Sequence, residues 1–170
     1  MYSWLPGLAI TKLVRWETIV DHKPKVLFFS TGDSTRSQIA EGFLRSFGGD
    51  ELVPVSTATQ SAEADPLAHD VMKEVGIDIS GQHAKEIRES FKEHFSYVVT
   101  ICDASREKFP VWPFARNIIH WSLADPEEIK GPTEQKREVL RRVRDEIGRN
   151  VREFLAQLQG NQWSVNRETH

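Results

Sequence analysis

The most informative stretch of the sequence runs from Ser30 to Ser37 (S-T-G-D-S-T-R-S) and is small and polar, with one glycine. It lies between the apolar run Val26–Phe29, typical of a buried strand, and a segment with helical periodicity. In such a turn backbone N–H groups converge on one point, and the helix dipole favours a negative charge there. Arg36 adds a planar guanidinium suited to a tetrahedral oxyanion. The stretch predicts an oxyanion-binding loop; the alternative is an ordinary strand–helix turn with a surface arginine.

This loop is not a nucleotide-binding loop of a known pattern. Neither G-x-x-x-x-G-K-[S/T] nor G-x-G-x-x-G occurs in the chain. The residues expected to bind the oxyanion are Ser30, Thr31, Gly32, Asp33, Ser34, Thr35, Arg36 and Ser37.

Cysteine and histidine usage limits the other chemistries. The chain has one cysteine, Cys102, so it forms no internal disulfide. Because Cys102 closes an apolar run, it is either a small core residue or a reactive thiol. The six histidines show no paired ligand spacing. We therefore expect no metal site and no cofactor.

Composition and charge exclude two classes of partner. The 170 residues suffice for one domain with a hydrophobic core, and the net charge of −3 argues against binding nucleic acid by phosphate neutralisation. No run approaches the about 18 apolar residues of a membrane span. Pro6, Gly7 and the charge at Lys12 interrupt the first part of the chain, which therefore does not resemble a signal peptide. We expect a cytoplasmic protein with no nucleic-acid or membrane partner.

Strand and helix patterns alternate along the chain. Apolar runs predict strands at Val26–Phe29, Leu52–Thr57, Tyr97–Ile101 and Asn117–Trp121. Helical patterns follow Ser37 as far as Gly48, run from Pro66 to Gly76, and cover Ile87–Phe95 and Thr133–Leu158. This alternation predicts an α/β fold of Rossmann-like, three-layer type: a parallel sheet of four strands with helices on both faces.

In a parallel sheet ligands bind at the carboxyl ends of the strands. The loops after Phe29, Cys102 and Trp121 are therefore expected to meet in one site. We assign residues 25–158 to the domain and residues 159–170 to a frayed C-terminal tail. Residues 1–24 form an N-terminal extension that is too apolar for a disordered tag, and it packs either on the domain or on a partner protein.

A resemblance supports this organisation. VLFFSTGDSTRSQIAEGFLR (Val26–Arg45) resembles the start of low-molecular-weight protein tyrosine phosphatases and thioredoxin-coupled arsenate reductases, whose signature is C-T-G-N-S-C-R-S. VSTATQ (Val55–Gln60) lies where that family has its second strand. VVTICDASREKFP (Val98–Pro110) resembles the arsenate-reductase segment with a redox cysteine pair. HWSLADP (His120–Pro126) is similar to the family's H-W-x-x-x-D-P, which supplies the general acid. The resemblance covers about residues 25–158 and implies the family's fold.

The departures from the family pattern fall on the residues that carry its chemistry. The family's nucleophilic cysteine falls on Ser30, its second loop cysteine on Thr35 and its loop asparagine on Asp33. Of the redox pair, the first cysteine is kept as Cys102 and the second falls on Phe109. Arg36, Ser37, Glu41 and Asp125 are among the positions that match.

By resemblance, Ser30, Arg36 and Asp125 occupy the catalytic positions and Cys102 a redox position. A serine hydroxyl is a far weaker nucleophile than the thiolate it replaces, and one cysteine cannot pass electrons between thiols within the chain. The leading hypothesis is a catalytically impaired pseudoenzyme that binds phosphate, sulfate, arsenate or a phosphorylated ligand. One alternative is a slow phosphatase that uses the three catalytic positions. The other is a scaffold that binds a protein partner through its N-terminal extension.

Four neighbouring side chains receive secondary predictions. Asp33 either repels a dianionic ligand by about 1 kcal/mol or more, or only adopts the turn conformation of the family's asparagine. Lys85 falls near a potassium-binding acidic residue of arsenate reductases, where it either replaces the ion or is a solvated surface lysine. His120 and Trp121 are expected to wall the cleft beneath the Asp125 loop.

Overall fold

The computed structural model describes residues 23–32, 34–59, 62–102, 112 and 115–167, with side chains as far as residue 160. The predictions for residues 1–22, Asp33 and Phe109 lie outside this part. In chain order the elements are β1 (Lys25–Ser30), α1 (Thr35–Gly48), β2 (Val53–Ala58), β3 (Ala62–Glu63), α2 (Pro66–Lys73), β4 (His83–Glu86), α3 (Ile87–Ser90), β5 (Tyr97–Cys102), β6 (Asn117–Ser122), a 3-10 turn (Pro126–Glu128) and α4 (Thr133–Arg167).

The strands form one mostly parallel sheet in the order β3-β4-β2-β1-β5-β6. Strand β1 pairs in parallel with β2 and β5, the β2–β4 and β5–β6 pairs are also parallel, and β3 is antiparallel to β4. The predicted α/β class is confirmed, but the predicted number of four strands was too low. Strands β3 and β4 are short and polar (AE and HAKE), so no apolar run marked them.

Strand β1 is buried on both faces, and Val26–Phe29 are at most 1% exposed. Its side chains alternate between two apolar clusters. Val26 and Phe28 belong to the larger cluster, which is covered by α1, α2 and α4. Leu27 and Phe29 belong to the smaller cluster on the other face, against which residues of α3 pack. A continuous apolar run therefore fills two layers, as the three-layer prediction requires.

The helices differ from the sequence predictions at their ends. The pattern predicts a helix over Ile87–Phe95, whereas α3 ends at Ser90. The apolar stripe of α4 ends at Leu158, but the helix passes through Gly160 to Arg167. A helix that is already formed can continue without an apolar face, and one glycine costs it only about 1 kcal/mol. Helix α4 therefore has no break where the frayed tail was expected.

Helix α4 is tied to the end of α2 by an ion-pair network around Glu74. The Glu74 carboxylate accepts hydrogen bonds from Arg141 and Arg144, each at 2.8 Å. Arg144 is only 7% exposed and also donates to the Val71 carbonyl at 2.8 Å. These hydrogen bonds, the one from Arg141 foremost, lower the pKa of Glu74 to about 2, although partial desolvation opposes the shift.

We expect this network to make stability depend on pH in the acid range. The pKa of Glu74 is lower in the folded protein than its ordinary value of about 4.3, so its contribution is complete above about pH 4.5 and is lost as pH falls toward 2. Glu74→Gln should lower the melting temperature at pH 7, and the difference from the unsubstituted protein should shrink between pH 4.5 and pH 2. Thermal unfolding against pH measures this.

The matched control for this experiment is Glu51→Gln. Glu51 forms no ion pair with the described part of the chain, so its substitution should leave the melting temperature nearly unchanged at every pH. A Glu74→Gln difference that stays constant from pH 7 to pH 2 would show that the ion pairs are not its cause.

Candidate oxyanion-binding site

The loop from Ser30 to Ser37 joins the buried end of β1 to the first turn of α1 at the carboxyl edge of the sheet. Gly32 has a φ of +76°, in the left-handed region that other residues rarely adopt. A Cβ atom at Gly32 would lie 3.2 Å from the Asp125 Oδ2 atom, which is tighter than an ordinary contact. A glycine is therefore required here both by the backbone conformation and by the approach of the loop that follows β6.

Ser30 is fully buried and takes part in starting α1. Its Oγ atom accepts a hydrogen bond from the backbone N–H of Ser37 at 3.3 Å. Ser37 lies in the first turn of α1, where N–H groups have no partner within the helix. Ser34, at the N-cap position, makes no side-chain cap bond. Ser30 therefore satisfies a helix amide from the end of β1, where the helix dipole favours a negative charge.

Gln38 anchors the loop from within α1. This fully buried side chain donates from Nε2 to the Ser34 Oγ atom at 2.6 Å and to the Ala62 carbonyl at 3.1 Å. The backbone carbonyl of Gln38 accepts a hydrogen bond from Gln82 Nε2 at 2.7 Å, whereas its side-chain Oε1 is buried without a partner among the described residues. The sequence predictions included neither glutamine. The sequence did contain one signal: Gln38 is an amide next to Ile39, on the part of the helix that must face the sheet. Since buried amides are nearly always hydrogen-bonded, a structural role for this side chain could have been predicted.

Arg36 lies at the centre of the site and has no exposed surface. Its Nη1 atom donates to the Leu123 carbonyl at 3.2 Å, and its Nη2 atom donates to the Thr31 carbonyl at 2.9 Å. The Nη2 atom also lies 3.1 Å from the Asp125 Oδ2 atom. Its Nε atom is buried without a hydrogen-bond partner among the described residues. In one interpretation of the loop the arginine was expected on the surface, and its complete burial shows that this position was wrong.

Asp125 connects the β6 loop to the oxyanion loop. Its side chain is 12% exposed, and its Oδ2 atom forms the ion pair with Arg36. Its Oδ1 atom accepts from the backbone N–H of Glu127 at 3.0 Å and so caps the 3-10 turn. The structure therefore brings Arg36 and Asp125 into contact, although they are far apart in sequence. Each carboxylate oxygen already has a partner.

Glu41 fixes the middle of α1 to strand β2 of the sheet. The carboxylate is 6% exposed and accepts hydrogen bonds from both the backbone N–H and the hydroxyl of Ser56. Arg45 donates to the same carboxylate at 2.6 Å and balances its charge. A matching family position therefore has a structural role here, holding α1 against β2.

The structure also places the remaining predicted residues. Cys102 is fully buried in the smaller cluster, whereas the alternation along β1 places Ser30 on the side of the larger one. Lys85 pairs with Glu93 at 3.2 Å, and Trp121 packs on Phe28 with ring centroids 5.9 Å apart. His120 is hydrogen-bonded to Thr100 at 2.8 Å, and Thr35, at the second cysteine position, is buried at the start of α1.

The described part of the chain contains neither a metal-ligand cluster nor a membrane-spanning helix. No group of three or more His, Cys, Asp or Glu side chains in it could hold a metal ion. None of its helices is both long and apolar enough to cross a membrane.

Comparison with known proteins gives consistent results in sequence and structure. A sequence model of the low molecular weight phosphotyrosine protein phosphatase family matches residues 25–164. The arsenate reductase of Halalkalibacterium halodurans is 38% identical over 133 residues, which are 78% of this chain and 96% of that protein. The arsenate reductase of Bacillus subtilis is 39% identical over 129 residues, 76% of this chain and 93% of its own.

Solved structures of similar proteins share the fold. An arsenate reductase in the phosphate binding state has a TM-score of 0.67 and 32% identity, with 79% of this chain and 98% of that chain covered. A low molecular weight protein tyrosine phosphatase from T. tengcongensis has a TM-score of 0.59 at 23% identity, over 79% of this chain and 99% of its own, and it supports the fold alone. On this agreement of sequence and structure, the chain belongs to the low molecular weight phosphotyrosine protein phosphatase family.

Proposed function

We propose that this chain binds a tetrahedral oxyanion, as phosphate, sulfate, arsenate or a phosphorylated ligand, in the Ser30–Ser37 loop and does not turn it over by thiol chemistry. The observation that carries the proposal is the fully buried Arg36 guanidinium, which keeps an unpartnered Nε donor beside a helix start. A buried donor without a partner is costly, by about 1–3 kcal/mol, and an oxyanion is the partner that a guanidinium binds best.

Two further features support oxyanion binding. The loop combines a left-handed glycine with the amino end of the 14-residue α1, an arrangement in which backbone amides face an anion. One of the similar solved structures is described as an arsenate reductase in the phosphate binding state. Because this chain keeps the arginine of the loop, Arg36, binding of phosphate by this chain is consistent with that similarity.

The residues at the family's catalytic positions support a loss of turnover. Ser30 replaces the cysteine, and its hydroxyl already accepts a hydrogen bond from the Ser37 amide. Without a thiolate the attack on phosphorus needs a base, and both oxygens of Asp125 are engaged by Arg36 and the Glu127 amide. Both contacts hold Asp125 in a structural arrangement and away from the roles of acid and base that a serine nucleophile would require.

Arsenate reduction has no electron source within the chain. Reducing arsenate to arsenite takes two electrons, which thiols supply as they form a disulfide. The single cysteine, Cys102, is fully buried in the smaller cluster, on the other side of the sheet from Ser30. Although several relatives are named arsenate reductases, we infer that this chain keeps their oxyanion loop without their redox relay.

The Asp125 carboxylate acts as an internal competitor in this proposal. It holds Arg36 Nη2 at 3.1 Å, and an incoming oxyanion must share or displace that contact. A modest affinity is expected, with a dissociation constant of about 1 mM, or about 4 kcal/mol.

Phosphate should stabilise the folded chain through Arg36. At about 100 times the dissociation constant the gain is about 2.7 kcal/mol, because the ligand binds only the native state. Arg36→Lys keeps the charge but loses the planar donor set, and we expect it to lose most of this gain. The measurement is thermal unfolding against phosphate concentration at constant ionic strength.

Arg45→Lys is the control, because Arg45 is largely exposed, lies on the same helix and pairs with Glu41. It should respond to phosphate as the unsubstituted chain does. Equal phosphate shifts in the unsubstituted chain and in Arg36→Lys would mean that the salt acts generally and would contradict the proposal.

Removing the charge of Asp125 should tighten phosphate binding. Asp125→Asn can still accept from the Glu127 amide, so the 3-10 turn keeps its cap while Arg36 loses its competing anion. We expect the dissociation constant to fall about tenfold, or about 1.4 kcal/mol. Isothermal titration with phosphate provides the constant.

Asp65→Asn is a closely matched control. Asp65 also precedes a proline, caps a helix and lies 3.1 Å from a cation, Lys136. Asp65 lies at the start of α2 and not in the oxyanion-binding loop, so its substitution should leave the phosphate affinity unchanged. If both variants bind phosphate equally well, net charge and not the Arg36 contact determines the affinity.

Restoring the thiol should restore some hydrolysis. We expect the unsubstituted chain to turn over an aryl phosphate far more slowly than about 1 per second, and Ser30→Cys to hydrolyse it measurably. Adding Asp33→Asn should raise the rate by removing a carboxylate from the loop. The control Ser34→Cys places a thiol in the same loop but away from the end of β1. Turnover near 1 per second without substitution would instead establish the slow phosphatase.

A further inference from the structure

A groove of 380 Å³ opens between the last turns of α1, the chain after α2 and the middle of α4. We call it the α1–α4 groove; its lining includes Phe43, Phe47, Val75, Ile77, Arg149 and Arg152. Phe47 is 37% exposed and Val75 is 44% exposed, and they are two of three large apolar side chains exposed in the described part of the chain. Two such neighbours in one concave surface indicate a binding surface.

The groove lies at the edge of the sheet opposite the oxyanion loop. Helix α1 runs from the carboxyl end of β1 back to the start of β2, so Phe47 in its last turn lies at the amino edge. At this edge the Pro24 carbonyl accepts from Val53 N–H, and the Lys25 carbonyl accepts from Ser96 N–H, both at 3.0 Å. The chain therefore enters the domain at the same edge as the groove.

Residues 1–22 precede this entry point and offer apolar side chains of a suitable kind. These are Trp4, Leu5, Leu8, Ile10, Leu13, Val14 and Trp16. Twenty-two residues can span about 70 Å when extended, which exceeds the about 30 Å width of a small domain. A segment tethered by a short linker has an effective concentration of about 1 mM, which favours it over a second copy at ordinary protein concentrations.

The rim of the groove is mainly positive, although Asp145 also lines it, and the segment carries two acidic and two basic side chains. Arg149 and Arg152 are exposed and have no carboxylate partner in the part of the chain with described side chains. The Arg152 guanidinium lies 4.6 Å from the centre of the Phe47 ring and keeps a positive charge beside the apolar surface. In the segment, Glu17 and Asp21 are close in sequence to the point of attachment.

We propose that the α1–α4 groove binds the chain's own N-terminal segment, residues 1–22. The apolar side chains of the segment cover Phe47 and Val75, and its two acidic residues face the arginines at the rim. The segment thereby occupies a site at the amino edge of the sheet, remote from the oxyanion loop, and the proposal is independent of the function assigned to that loop.

Photo-cross-linking of the full-length chain tests the proposal. The photo-reactive residue p-benzoylphenylalanine replaces Val75 in one chain and Ile118 in another; Ile118 is 57% exposed and lies on β6. After irradiation at low protein concentration, the cross-linked peptides are identified by mass spectrometry. We expect adducts to residues 1–22 of the same chain at Val75, about tenfold more than at Ile118, because the segment is tethered near its site.

Adducts at Val75 that join two chains would assign the groove to a second copy and overturn the proposal. The proposal is also overturned if the label at Val75 captures nothing from residues 1–22, or if the labels at Val75 and Ile118 capture these residues equally. Both positions are exposed, so neither substitution disturbs the core.

A second variant pair tests whether apolar side chains carry the interaction. Leu8→Asp with Leu13→Asp, introduced into the Val75-labelled chain, should reduce the adduct about tenfold, because two apolar contacts are lost. The control is Thr11→Asp with Thr18→Asp, which adds the same charges to the segment and removes no apolar side chain. Full retention of the adduct in the leucine variant would contradict apolar docking.

Discussion

The Arg36 guanidinium is a full positive charge with no exposed surface, and the carboxyl edge of the sheet is organised around it. Burying a charge is costly unless it is paired and hydrogen-bonded. Here the pairing comes from three places: the Thr31 carbonyl within the loop, the Leu123 carbonyl after β6, and the Asp125 carboxylate. The conformation of two loops that are far apart in sequence is therefore set by one side chain.

In the proposed function, oxyanion binding and catalysis have different structural requirements. Binding needs the glycine, the helix start and the arginine, and all three are present. Thiol catalysis also needs a nucleophile of low pKa at the end of β1, where this chain has a serine that serves the helix amide of Ser37. In the proposed function, the serine at this position leaves the electrostatic site in place and removes the thiol nucleophile.

The two edges of the sheet have different physical characters. The carboxyl edge is polar and closely packed, with Ser30, Ser34 and Gln38 all buried and hydrogen-bonded. The amino edge exposes Phe47 and Val75 beside Arg149 and Arg152, which form no ion pair with side chains that the structure describes. Helix α4 spans the distance between them and is held to the end of α2 through Glu74. A segment bound at the amino edge would cover apolar surface without contact with the oxyanion loop.

The sequence alone was sufficient for the fold class and for the location of the loop. Apolar runs such as Val26–Phe29 and the apolar stripe on α4 indicate which residues are buried. This is because the spacing of apolar residues along the chain matches the period of the strand or helix that buries them. The family likewise followed from local motifs around Arg36 and Asp125. The polar strands β3 and β4 were not predicted. Their residues pair through backbone hydrogen bonds, which do not require apolar side chains and so leave no apolar run in the sequence.

Tertiary structure decided what the site residues do. The sequence predicted that Arg36 and Asp125 would share an edge of the sheet. It did not predict that they would form an ion pair, with 3.1 Å between Arg36 Nη2 and Asp125 Oδ2. The sequence analysis also did not predict that Gln38 fixes the loop, or that Cys102 and Ser30 lie on opposite sides of the sheet. Such facts depend on contacts between residues tens of positions apart and on the direction of each side chain. These are set by strand register and loop packing, and no local pattern of residue types encodes them.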